Sequence, residues 1–340
     1  MVNLPTIKEI ARKLNISAST VSRALHDNER ISMITKIRVQ KLAREMDYEP
    51  NQKAVSFQQK KTFTIGVILP DLAETFFSTA ISAIEDTSNK FKYSVLLGQS
   101  HDSEVREKHI VETIMNRRVD GLIISIAKST TNFEHFEILK KYGIPVVFFD
   151  RVPNIPNIHS VGCNVEIGTV EAMKFLLRSG HRVIGMINGP ERISSSRQRV
   201  EGYIKALLNH PLTYDPSLVV STDLTRECTE NAMAELLSSK RKPTAVLAFN
   251  DHVALDAIQV ATKKKLKINK DITFVSFSSL SMINYSAFPP VASVEQFPYQ
   301  QGQKATEVLM ELLSKANYDP ETTAFNQITV DSKLAIHKQK

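Results

Sequence analysis

Cysteine, tryptophan and long apolar runs are scarce or missing from this 340-residue chain, which has two cysteines and no tryptophan. Cys163 and Cys228 show no metal-ligand or redox spacing. That excludes a disulfide scaffold and a cysteine-bound zinc, and reads as two buried thiols in a reducing cytoplasm. The longest apolar runs are strand-sized, short of the roughly 20 residues that a membrane helix needs. No N-terminal apolar stretch resembles an export signal, so a cytoplasmic, membrane-free protein is expected. G-x-G-x-x-G, Walker A, G-x-S-x-G and metal spacings are missing as well, and the nine histidines are scattered. His101-Asp102 and His181 read as loop residues, and Ser194, Ser195 and Ser196 as a loop with no catalytic partner. No catalytic residue, cofactor or metal is expected.

What the chain does have is charge gathered at one end. Residues 1–61 hold twelve Lys/Arg against six Asp/Glu, so nearly all of the formal charge of +7 lies there and residues 62–340 are close to neutral. Such concentration suits phosphate neutralisation and salt-sensitive binding. Hydrophobic content of 42% and charged content of 23% are those of a soluble globular protein. The length calls for more than one domain.

The basic end carries a local pattern of its own. In TIKEIARKLNISASTVSRAL (6–25), Thr6 and Glu9 have capping-box spacing ahead of a helix with Ile7, Ile10, Ala11 and Leu14 on one face. Asn15-Ile16 makes a turn, and Ser17 caps a second helix that packs through Val21, Ala24 and Leu25. Ala18, Ser19, Thr20, Ser22 and Arg23 are left facing outward. A row of hydroxyls and one arginine suits a helix whose first turns enter a major groove. A third helix, from Ser32 to about Met46, presents Ile34, Val39, Leu42 and Met46 and closes a three-helix domain over 1–47. The segment 48–61 follows, broken at Glu49-Pro50 and basic in QKAVSFQQKK (52–61).

From Thr62 the pattern becomes apolar strands separated by amphipathic helices. Strand-like runs fall at 65–69, 94–97, 122–125, 146–149, 183–187, 219–221, 245–249, 273–277 and 292–294. Helical segments fall at 78–90, 105–117, 167–178, 199–208, 229–238, 252–264 and 299–313. Buried strands alternating with helices predict parallel sheets covered on both faces, here as two doubly wound lobes. Ligands of such sheets bind beyond the strand carboxyl ends.

Seven stretches carry a family resemblance: 6–25, YEPN (48–51), RRVDGLIIS (117–125), VVFFDR (146–151), GHRVIGMINGP (180–190), Arg199-x-x-Gly202-Tyr203 and AVLAFNDHVALDAI (245–258). In this order and spacing the chain resembles the lac repressor (LacI/GalR) family of transcription regulators over essentially its whole length. The resemblance implies an N-terminal all-α helix-turn-helix domain, a hinge, and a core like a type I periplasmic sugar-binding protein. Core lobes are expected at about 62–163 with 293–325, and at about 164–292 with 326–340.

For DNA, the resemblance assigns base contact to Ala18, Ser19 and Arg23, with Arg23 suited to bidentate reading of guanine. Thr20 and Ser22 are expected at phosphates, and Thr6, Ser17 and Asn28 complete the headpiece set. Asn51, Lys53 and Ala54 belong to the hinge. Phe57 stands where relatives place a leucine wedge; it either kinks the minor groove or packs within the protein.

For the effector, the resemblance implies a small sugar-like molecule. Phe76 and Phe77 match a stacking pair, with core packing as the alternative. Asp150 and Arg151 match an Asp-Arg grip on hydroxyls, and Arg199, Asn250 and Gln296 match further contacts. Asp251 is expected to cap the following helix. Glu74 replaces a usual Asn, and Ser278 replaces an Asp that accepts sugar hydroxyls. With that acceptor lost, a sugar acid or phosphate becomes an option for the two arginines.

The implied protein is a repressor of carbohydrate-utilisation genes, working as a homodimer on a pseudo-palindromic operator under allosteric control by its effector. With no heptad extension after 328–330, a dimer is expected over a tetramer. Control by a protein partner stays as an alternative, and an enzyme on the α/β core as a remote one.

Overall fold

The computed structural model describes residues 5–48, 61–278, 283, 285–315, 318–320 and 322–337. The chain separates into two compact units, Met1–Thr62 and Phe63–Lys340.

The first unit holds α1 (Ile7–Leu14), α2 (Ala18–Leu25) and α3 (Met33–Glu45). Each starts at a hydroxyl cap. Thr6 accepts the Glu9 amide while its own amide donates to the Glu9 carboxylate at 2.9 Å, a reciprocal capping box. Ser17 and Ser32 accept from Thr20 and Thr35. Asn15 ends α1 in the left-handed region, which Asn tolerates. Ile10, Ala11, Val21, Ala24, Val39 and Ala43 form the core. Ile34 does not join them: it is 72% exposed, beside exposed Met33 and Ile37. The short first two helices cover only the Val39–Ala43 side of α3.

In the second unit, one sheet has β1 (Thr64–Leu69), β2 (Ser94–Gln99), β3 (Gly121–Ile124), β4 (Val146–Phe149), β5 (His159–Asn164) and β11 (Gln327–Asp331), in the order β11-β5-β4-β3-β1-β2. Its pairings are all parallel. The other has β6 (Ile184–Asn188), β7 (Val219–Ser221), β8 (Ala245–Ala248), β9 (Thr273–Phe277), β10 (Ala292–Glu295) and β12 (Lys333–Ile336), in the order β12-β10-β9-β8-β6-β7. Only the β10–β12 pairing there is antiparallel.

Helices cover both faces. α4 (Thr75–Lys90), α5 (Glu104–Asn116), α6 (Glu134–Lys141) and α11 (Pro298–Ser314) belong to the first lobe. α7 (Val165–Arg178), α8 (Ser194–Leu208), α9 (Arg226–Ser238) and α10 (Asp251–Lys263) belong to the second. Each sheet therefore has an apolar cluster on either face, as buried parallel strands require.

Strand pairing corrects two lobe boundaries. β10 pairs with β9, so residues 293–295 belong to the second lobe and the chain crosses after Glu295. β11 pairs with β5, so 327–331 belong to the first lobe and only Lys333–Ile336 returns. Neither crossing shows a change of composition that sequence could mark. Two strands, β5 and β12, and helix α6 were also not expected. β5 reads HSVGCN, too polar for a buried-strand pattern.

Arg199-x-x-Gly202-Tyr203 has a packing reason. A Cβ on Gly202 would lie 2.7 Å from the Glu166 carbonyl oxygen, so glycine lets α8 close on α7. Tyr203 is buried and donates to the Ile184 carbonyl at 2.8 Å. Among the described residues no helix is long and apolar enough to cross a membrane.

Candidate functional site

In the first unit the outward side of α2 carries Ser19 and Arg23 exposed and Thr20 and Ser22 half-buried. Ala18 is less free than expected: its methyl packs on the domain core. The hydroxyls are partly engaged, since Ser17 Oγ lies 2.8 Å from both Ser19 Oγ and Thr20 Oγ1. This ties the start of the helix into one polar cluster. Thr6 is committed to its cap, and Asn28 accepts the Arg30 amide at 3.0 Å in the α2–α3 loop. Lys8, Arg12, Lys13, Arg30, Arg38, Lys41 and Arg44 are exposed cations of this small unit. Asn51, Lys53, Ala54 and Phe57 lie outside the described residues.

In the second unit the polar candidates follow strand carboxyl ends. Asp150 and Arg151 follow β4, Asn250 follows β8, Ser278 follows β9 and Gln296 follows β10. Glu74 stands before α4 as its N-cap residue, and its side chain makes no cap bond. Asp150 and Ser278 both take left-handed backbone conformations, φ 57° and 94°. For non-glycine residues this is strain held in place by surrounding structure.

The two arginines are already occupied. Arg151 Nη1 donates to Asp102 Oδ1 at 2.5 Å. Arg199 is buried on α8, its guanidinium 4.1 Å from the Phe249 ring centroid and 4.2 Å from that of Phe277. Its Nη1 donates to the Ser195 carbonyl. Burial pulls the Arg199 pKa down to about 10, with Asp150 opposing the shift. Burial pushes Asp150 up to about 6, against the pull of Arg151 and Arg199 and with Glu74 adding to the rise. Burial also raises Glu74, opposed by Arg151 and His252 and reinforced by Asp102 and Asp71. Two electrostatic links cross between the lobes, Asp150 with Arg199 and Glu74 with His252, while Glu74, Asp150 and Arg151 act on one another within the first lobe.

Several expected roles change. Phe77 is 1% exposed and packs edge-on against Phe149, so it belongs to the core; Phe76 is also buried, edge-on to Phe77. The Asn250 side chain, not that of Asp251, caps α10 by accepting from Val253 at 2.9 Å. Asp251 is buried and accepts from the Ser276 and Ser293 hydroxyls, and Ser293 in turn meets His337 at 2.9 Å. Ser194–Ser196 open α8 instead of forming a loop. Gln296 is buried, its carbonyl held by Gln301.

Sequence reasoning missed Asp102, Asn188 and Ser196. Asn188 Oδ1, Ser196 Oγ and Arg199 Nε are buried without a hydrogen-bond partner, although Asn188 Nδ2 reaches the Ser196 carbonyl at 3.0 Å. Asn188 closes β6, so its place at a strand carboxyl end was the available signal. Lys128 was missed too: its ammonium donates to the Asp223 carbonyl of the other lobe at 2.9 Å.

A capped helix-turn-helix unit, together with two parallel-sheet lobes whose strand ends converge on shared polar side chains, defines a DNA-binding regulator with the core of a ligand-binding protein. Residues 6–51 match the family described as bacterial regulatory proteins, lacI family, and residues 62–338 match periplasmic binding proteins and sugar binding domain of LacI family. The chain belongs to the LacI family. It is 30% identical over 315 residues to catabolite control protein A of Priestia megaterium, covering 92% of this chain and 94% of the relative. It is also 30% identical over 306 residues to the transcriptional repressor CytR of Escherichia coli K12, covering 90% and 89%. The lac repressor dimer bound to operator and anti-inducer shares the fold with a TM-score of 0.81, 24% identity and 97% coverage of both chains. These relatives are transcriptional regulators.

Proposed function

We propose that this chain is a cytoplasmic bacterial repressor of carbohydrate-utilisation genes. It binds a pseudo-palindromic operator as a homodimer, with α2 in the major groove, and a small polyol between the core lobes sets its operator affinity. The observation that carries the reading is the convergence of Glu74, Asp150 and Arg151 with Arg199 across two lobes, in a chain with a separate capped helix-turn-helix. Ligand contacts from both lobes favour one interlobe arrangement over others, and that difference is the coupling free energy available to the DNA-binding end.

The dimer reading has support on the second lobe. Leu255, Ile258, Tyr285 and Phe288 line one groove, with Tyr285 91% exposed. Exposed Tyr285 and Phe288 beside half-buried Leu255 suit burial against a second copy.

The test combines operator selection from random duplex DNA with thermal melting against a sugar panel. One enriched two-fold symmetric sequence is expected, together with a ligand that stabilises by about 3 kcal/mol at a few hundred times its Kd. The reading fails if no sequence is enriched.

A further inference from the structure

We propose that one end of the second lobe, formed by the connections into β6, β8 and β9, is a further contact for duplex DNA. It takes the phosphate backbone without reading bases and is separate from the helix-turn-helix unit.

The near-neutrality of residues 62–340 hides a separation of charge. Counted from the last residue of the preceding helix, the connections into β6, β8 and β9 are 178–183, 238–244 and 263–272. They carry two, three and five Lys/Arg against a single acid, Asp271. All of these cations are exposed. The remainder of the core is therefore net negative.

Hydrogen bonds set the three connections side by side. Thr244 donates its amide to the Val183 carbonyl at 2.9 Å and accepts the Thr273 amide at 3.0 Å, and its hydroxyl meets His181 Nδ1 at 3.0 Å. The chain passes between lobes after β5, β10 and β11, each time at a strand carboxyl end. β6, β8 and β9 run parallel to β10, so their amino ends lie at the end of the sheet opposite its crossing. The first unit joins the core through β1, in the other lobe.

Some of this charge has a structural use. Arg178 and Lys263 sit in the last turns of α7 and α10, where a cation complements the helix dipole. Arg182 donates to the Leu177 carbonyl at 2.8 Å, Lys263 meets Glu230 at 3.6 Å, and Arg241 meets Asp215 at 3.8 Å. The dipole effect fades beyond the last turn. Lys240, Lys242, Lys265, Lys267 and Lys270 lie past the helix caps and pair with no carboxylate among the described residues. Asp271, the acid nearest to hand, accepts the Lys267 amide at 2.8 Å. Ammoniums gathered in this way repel one another, and a polyanion relieves that repulsion.

The make-up of the patch decides which polyanion it fits. A protein interface gathers aromatic and aliphatic side chains at its centre and is depleted in lysine. None of the exposed large hydrophobic side chains falls within these three connections. Lysine ammoniums are point charges on flexible stems, suited to phosphates spaced along a backbone and unsuited to planar bidentate reading of bases.

The experiment is acetylation of the full chain at low salt, read lysine by lysine in mass spectra, with and without excess long random-sequence duplex. Lys240, Lys242, Lys265, Lys267 and Lys270 should be protected about threefold or more, and the protection should vanish at about half-molar salt. Lys90 and Lys141, exposed on the first lobe, should react unchanged. Lys8, Lys13 and Lys41 report the helix-turn-helix contact in the same sample, so failure of one contact is distinguishable from failure of the other. Combining Lys265→Gln, Lys267→Gln and Lys270→Gln should make the log–log salt dependence of duplex binding shallower by about 2–3, with an unchanged thermal midpoint. Unprotected lysines on this end of the lobe, or an unchanged salt slope, overturn the proposal. Equal protection by poly-L-glutamate, or by vesicles of phosphatidylserine and phosphatidylcholine, also overturns it and assigns the patch to an acidic protein or a membrane surface.

Discussion

Asp102 holds Arg151 through a 2.5 Å hydrogen bond between its Oδ1 and the guanidinium, and the same oxygen accepts the Lys128 amide at 2.9 Å. Lys128 in turn donates its ammonium to the Asp223 carbonyl of the opposite lobe. One loop carboxylate therefore organises both Arg151 and a link between lobes. Replacing it strands a largely buried guanidinium. Asp102→Asn is expected to cost the core about 2 kcal/mol, less than a fully buried broken pair because Asp102 keeps some solvent contact. The shift of the urea midpoint measures this, and an unchanged midpoint would show the pair to be dispensable.

At Gly202 the expected failure is steric. A methyl there meets the Glu166 carbonyl at 2.7 Å and Thr169 Cβ at 2.8 Å. Gly202→Ala should destabilise the core by about 1–3 kcal/mol, even though alanine is the better helix former. Thermal melting decides between the clash and the propensity gain.

Arg23→Ala separates reading from holding. If Arg23 contacts a guanine edge, its loss should lower operator preference by about 1–3 kcal/mol while non-specific affinity and its salt slope change little. Equal losses on operator and random DNA would make it a phosphate contact.

Asp150 predicts a pH dependence. Its folded pKa of about 6 lies above the ordinary 3.8, so the folded chain binds this proton more tightly than the unfolded one. The group's stability contribution is full below about pH 4 and is lost as pH rises through about 6. Asp150→Asn should flatten the fall in urea midpoint across that window, and an identical slope in both proteins would contradict the assignment.

Ser17→Ala tests the cap at the start of α2. Its oxygen accepts the Thr20 amide at 3.1 Å and meets the Ser19 and Thr20 hydroxyls. Loss of about 1 kcal/mol is expected for the small N-terminal unit, read as a lower transition for that unit alone in calorimetry.

What could be read from sequence was whatever depends on residues a few positions apart. Thr6 and Glu9, Ser17 and Ser32 announce their helices because caps are local chemistry. Parallel strands such as Val146–Phe149 announce themselves by being apolar throughout. Side-chain destinations set by distant partners were not legible. Asp251 and Asn250 are neighbours in sequence, and only Ser276 and Ser293, brought in by β9 and β10, decide which carbonyl-bearing side chain goes inward. Phe77 could have faced a ligand until Phe149 closed over it. Ile34 fits the apolar period of α3, yet nothing among the described residues comes to cover it. Asp102 reached Arg151 through a loop whose course no periodicity predicts.

Ser332 is the single residue between β11 of one sheet and β12 of the other, and its hydroxyl donates to the Asn164 carbonyl, where β5 hands the chain to α7. Two of the three passages between lobes are thus bolted together at one point. Such a joint resists sliding and separation far more than rotation, so it acts as a fulcrum. A swing of the lobes under the proposed effector control would therefore turn about the Ser332–Asn164 line.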